Sequence, residues 1–89
     1  MRYEDIELLL SGGRLPEALA MIEVALAHEG DDARMLFLKG RAMMKLSQWG
    51  DAISCFLKAE TLDPNGPARE SRMMLNDILD FYNKDMYNQ

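Results

Sequence analysis

A chain of 89 residues with ten Lys and Arg against fifteen Asp and Glu has a formal net charge of -5, and its 48 % hydrophobic content is too high for a disordered chain. The length allows one domain, near the lower limit at which a single core offsets folding entropy. Net negative charge repels the phosphate backbone that nucleic-acid binders must neutralise, so no nucleic-acid partner is expected. The lone cysteine, Cys55, excludes an internal disulfide, and the lone histidine, His28, leaves too few ligands for a structural zinc site. The N-terminal run MRYEDIELLLSGG fits neither a secretory signal nor a membrane span. A cytoplasmic location without a membrane partner is the expectation.

Tyr3, Ile6, Leu9 and Leu10 stand at helical spacing among Glu4, Asp5 and Glu7, which predicts a short first helix over 3–10 that ends at Ser11-Gly12-Gly13. Pro16 suits the first turn of a second helix with an apolar stripe of Ala18, Leu19, Ile22, Ala25 and Leu26, ending near His28 with Gly30 as the stop. Asp31 or Asp32 can cap a third helix. Its Leu36, Phe37, Leu38, Gly40, Met43, Met44 and Leu46 are more apolar than one stripe requires, so it should touch neighbours on two sides. Ser47 is the expected N-cap of a fourth helix from about Trp49 to Leu62, with Ala52, Ile53, Phe56, Leu57 and Ala59 inward. The sequence Asp63-Pro64-Asn65-Gly66-Pro67 is the strongest turn signal, because neither proline can lie deep in a helix. A fifth helix is predicted from 67 to about 85, with Met73, Met74, Leu75, Ile78, Leu79, Phe81 and Tyr82 as its apolar residues. No segment reads as a strand.

Five helices with short turns suggest stacked hairpins, and such a chain should resemble itself at a fixed period. At a period of 34, Ala18-Leu19 matches Ala52-Ile53, Ile22 matches Phe56, Ala25 matches Ala59, Leu9 matches Met43 and Leu15 matches Trp49. Residues 33–66 resemble the tetratricopeptide repeat: Gly40 is the small residue of its first helix, Ala52 and Phe56 form an Ala-x-x-x-Phe step, and Ala59 and Pro64 close the unit. Lys39 and Leu36 depart from it, where leucine and tryptophan are preferred. Residues 1–32 match as a degenerate repeat, recognised mainly by the second helix. Residues 67–89 match a first helix that, in this family, caps the stack. The tail ILDFYNKDMYNQ is similar to the ends of small stand-alone bacterial proteins of this type. The resemblance implies an all-α fold of antiparallel helical hairpins, stacked as a short right-handed solenoid in a single domain.

The resemblance further implies a concave face, lined by the first helix of each unit, that holds a peptide or partner helix. It places Arg34, Phe37, Arg41, Met44 and Lys45 on the groove side, and their spacing independently marks one helix face. The matching positions are Tyr3, Glu7 and Leu10 on the first helix, and Ala68, Ser71, Arg72, Leu75, Ile78 and Leu79 on the last. On this reading Arg41, Lys45 and Arg72 attract acidic groups, while Phe37, Met44 and Leu75 contact apolar residues of the ligand. Tyr3, Glu7 and Ala68 stand where the carboxylate-clamping members of the family need other residues, so binding of chaperone tails is not implied. Against the groove reading, basic residues also solvate exposed helices without any further task.

Methionine, present eight times, adapts to binding surfaces, but Met43, Met73 and Met74 are expected in the core and only Met44 at the surface. Trp49 is expected to be structural, filling space beside the contact of Gly40 with Ala52. Cys55 has no neighbouring base and reads as an inert thiol. His28 beside Glu29 reads as a helix-end residue. No Ser/His/Asp set, phosphate-cradling glycine loop or metal-ligand spacing occurs, so neither an enzyme nor a cofactor is expected. An adaptor that binds protein or peptide is the leading expectation. A self-associating protein or complex subunit, with Phe81, Tyr82 and Tyr87 buried against another copy, is the alternative. A helix-turn-helix DNA reader is opposed by the acidic balance and the repeat period.

Overall fold

The computed structural model describes the backbone of residues 2–87 and the side chains of residues 3–81, so Tyr82, Tyr87 and the end of the tail lie outside the described side chains. Five α-helices follow one another: α1 (Arg2–Ser11), α2 (Leu15–Glu29), α3 (Ala33–Lys45), α4 (Trp49–Leu62) and α5 (Ala68–Tyr87). Among the described residues no strand occurs.

Each boundary has a local cause. Helix α1 carries Glu4 and Asp5 in its positive first turn. It ends where Gly13 takes a φ of 76°, open to a residue without Cβ, so that the Arg14 N–H can reach back to the Leu9 carbonyl at 2.9 Å. Pro16 occupies the first turn of α2, and Gly30, at φ 79°, closes that helix by donating to the Leu26 carbonyl. Of the two expected caps for α3, Asp32 takes the position, accepting from the Arg34 N–H at 3.3 Å. Ser47 is not the cap of α4. It stands at φ 60°, and Gln48 occupies the N-cap without a side-chain hydrogen bond. The turn before α5 is held by the Asp63 side chain and carbonyl, which accept from the N–H groups of Asn65 and Gly66.

Two apolar clusters meet on α3. Ile6, Leu10, Ala18, Ile22, Ala25, Met35, Leu38 and Ala42 join α1 and α2 to one side of it. Leu36, Met43, Ala52, Phe56, Ala59, Ala68 and Leu75 join α4 and α5 to the other. The two-sided contact read from its apolar surplus is therefore present. Positions 34 apart share their burial: Ala18 with Ala52 and Ile22 with Phe56 are fully buried, as nearly are Ala25 and Ala59. Lys39 of α3 bridges to Glu23 of α2 at 3.3 Å.

Several expected core positions differ. Met73 and Met74 are about half exposed, because α5 ends the stack and packs on α4 with no helix over its far side. Leu57 is also exposed, on the outer side of α4. The atoms nearest to Gly40 are those of the Phe56 ring, and Trp49, expected to fill space there too, is 39 % exposed.

Candidate functional site

The residues expected along the groove fall into three groups. Glu7 of α1 and Arg34 and Phe37 of α3 come together in a hollow of about 290 Å³ closed by Ala33, Leu38, Asp63, Gly66, Pro67 and Ala68. The hollow thus spans α1, α3 and the start of α5, three helices expected on one face. Met44 lines a second hollow of about 200 Å³, whose other walls are Trp49, Leu75, Ile78 and Leu79. Phe37 and Met44 lie two helical turns apart on α3, about 10 Å at 1.5 Å per residue.

The first hollow contains both charge signs. Glu7 faces Arg41 at 3.5 Å and Arg34 at 3.8 Å, so two groove arginines share one carboxylate of the protein itself. The Arg34 guanidinium also stacks on the Tyr3 ring, 4.4 Å from its centroid, and the Tyr3 hydroxyl donates to Asp32. Arg41 stands 6.0 Å from the centroid of Phe37, whose ring meets that of Phe56 at 5.7 Å. Tyr3, Arg34 and Arg41 therefore act first as a brace between α1, α3 and the α2–α3 turn.

Arg72 and Leu75 do not take the groove roles expected of them. Arg72 is held on α4 by Glu60, its Nε donating at 2.7 Å and its Nη2 at 3.4 Å. That hydrogen bond holds the Glu60 carboxyl below its ordinary range and raises the Arg72 guanidinium. Leu75 is 1 % exposed and belongs to the second core cluster, forming the floor of the Met44 hollow where a ligand could touch only the side chains around it. The cause is a slip in register. Met35 and Ala42 of α3 face the first cluster, and a period of 34 would put Arg69 and Asn76 in the equivalent place on α5. Ala68 and Leu75, 33 residues on, are buried instead.

Lys45 is exposed, and among the described residues no ion pair engages it. Trp49, expected to be structural, lines the Met44 hollow, because the turn at Leu46-Ser47-Gln48 leaves it at the first position of α4, next to the end of α3. Asp63, Gly66 and Pro67 were likewise missed. They form the strongest turn signal in the chain, and a turn joining two stacked helices necessarily lies at one end of the groove.

Outside the groove, Cys55 is buried, and that burial pushes its thiol up. Among the described residues no group of three or more His, Cys, Asp or Glu could hold a metal ion, and no helix is long and apolar enough to cross a membrane.

No family pattern matches the chain, and no curated protein matches it. Among solved structures, Bacteroides fragilis protein BF1650, determined by solution NMR, is similar, with 39 % identity over 98 % of this chain and 89 % of that one and a TM-score of 0.85. At that identity and coverage the chain belongs to the same family as the Bacteroides protein, with an all-α helical fold.

Proposed function

We propose that this member of the family is a protein-interaction module, of the tetratricopeptide-repeat kind and not an enzyme, which holds a peptide or partner helix along the face formed by α1, α3 and α5. The observation that carries the reading is the pair of hollows on α3, at Phe37 and at Met44. Phe37 and Met44, one in each hollow, stand about 10 Å apart along α3, the rise between positions i and i+7 of a helical ligand, so a partner helix laid along α3 meets both. Half-buried Arg41, between the two, and exposed Lys45, beside Met44, supply polar groups at the rim. A cytoplasmic setting fits the single unpaired thiol.

The test is selection of peptides from a random displayed library on the folded protein, followed by binding to Met44→Asp and Ile78→Asp variants. Loss of the selected peptides by variants that stay folded supports the groove, and undiminished binding removes it.

Self-association is the second reading, favoured by one observation: Met74, Ile78 and Phe81 are 53 %, 42 % and 76 % exposed on the last helix. A mass that stays monomeric by light scattering at high micromolar concentration counts against it.

A further inference from the structure

We propose that the apolar strip Met74, Ile78 and Phe81 of α5, with the Trp49 hollow beside it, docks a basic amphipathic helix of a partner protein. The inference rests on the groove reading above and adds the chemistry of the partner. The three residues follow at i, i+4 and i+7 and so share one face of α5, and Ile78 also lines the hollow with Met44 and Trp49. Strip and hollow are therefore one continuous apolar surface.

Acidic residues border that surface. Glu70 precedes Met74 by four positions, and Asp77 follows Met74 by three and precedes Phe81 by four, so both are helix-surface neighbours of the strip. Both are exposed, and among the described residues no ion pair engages either of them. Glu7, Glu17, Glu23 and Glu60, by contrast, each face a cation of this chain. A partner that covers the strip brings its own flanking charges against Glu70 and Asp77, where lysine or arginine is favoured and like charge is costly. Lys45, next to Met44, asks for at most one acidic residue on the opposite edge of the ligand.

The same charges disfavour a second copy as occupant. An antiparallel pairing of two α5 helices about Ile78 sets Asp77 near its own equivalent. Head-to-tail stacking sets the α5 acids against residues 1–32, which carry two basic and eight acidic side chains.

The test uses two synthetic amphipathic helices of about 18 residues, about 27 Å long, with the same leucine stripe and either lysine or glutamate flanks. Trp49, the only tryptophan, reports occupancy of the hollow by its emission. The lysine helix is expected to shift that emission to the blue and to bind at least about tenfold more tightly than the glutamate helix. Glu70→Lys with Asp77→Lys is expected to reverse that order, while Asp5→Lys with Asp31→Lys, the same change in total charge elsewhere, leaves it standing. Equal affinity for the two helices, or equal effects of the two double variants, would overturn the basic partner while leaving the groove in place. No binding of either helix, with Trp49 emission unmoved, would overturn both. Self-association that shifts Trp49 emission and excludes the lysine helix would assign the strip to a second copy and overturn the proposal.

Discussion

The ring of Phe56 lies where a side chain on Gly40 would begin: a Cβ at Gly40 would stand 2.4 Å from Cε1 and 2.6 Å from Cδ1 of that ring. Phe56 is fully buried, so its ring has no solvent side to retreat into. The contact lets α3 and α4 approach closely, and it sets the positions from which Phe37 and Met44 line the two hollows.

Gly40→Ala therefore tests the packing beneath the site. Alanine gains about 1 kcal/mol of helix propensity, while overpacking costs about 1–3 kcal/mol, toward the upper end for so short an approach. A net loss of about 1–2 kcal/mol is expected, read as a lower urea midpoint at unchanged slope. In a Phe56→Leu background the same change should cost less, because the smaller side chain vacates the space.

Glu7 decides the charge of the first hollow. Glu7→Gln releases Arg34 and Arg41 from their shared carboxylate, and the exposed pairs it breaks are worth under about 1 kcal/mol each. The fold should persist with nearly unchanged stability, while affinity for acidic peptides rises and falls again with added salt. Calorimetric titration with one acidic peptide, on both proteins, measures this.

Stability against pH should carry the signature of Glu60. Its carboxyl is lowered by Arg72, so the pair's contribution is present above the ordinary carboxylate value of about 4.3 and disappears as pH falls through the lower folded value. Glu60→Gln should melt below the parent at neutral pH and converge with it on acidification. Parallel melting curves at all pH values would show that the pair contributes nothing.

Cys55 should behave as a reporter of unfolding. Burial raises its thiol and leaves it 8 % exposed, so little thiolate is present at neutral pH and a thiol reagent meets it freely only when α4 separates from its neighbours. Modification is expected to be slow in the native protein and fast in denaturant, with a rate that rises in the Gly40→Ala variant.

The helices were legible because their boundaries rest on local chemistry: the double glycine after α1, Pro16 in α2, Asp32 before α3 and the proline-bracketed turn before α5. The buried Ala18, Ile22 and Ala25 of α2 and Ala52, Phe56 and Ala59 of α4 followed from the period of 34, since these helices have neighbours on both sides that fix their rotation. Helix α5 has a neighbour on one side only, and its stripe advanced by 33 residues, which took Leu75 from the groove into the core and left Met74 outside. A fixed repeat carries no information about such a rotation. The pairing of Arg72 with Glu60 and of Arg41 with Glu7 was equally hidden, because these partners lie 12 and 34 residues apart and meet only once the helices stack. Phe37 and Met44 each line a hollow as their shared face of α3 leads one to expect, because neighbours on both sides fix the rotation of that helix.

The most direct test of the groove is a map of backbone amide shifts on titrating a library-selected peptide into the labelled protein. Binding along α1, α3 and α5 predicts that the perturbed amides cluster at Glu7, Phe37, Met44, Trp49 and Ile78, with α2 and the outer side of α4 around Leu57 and Lys58 unchanged. Perturbations centred on Val24, Cys55 and Lys58, with the α3 groove residues still, would contradict the account.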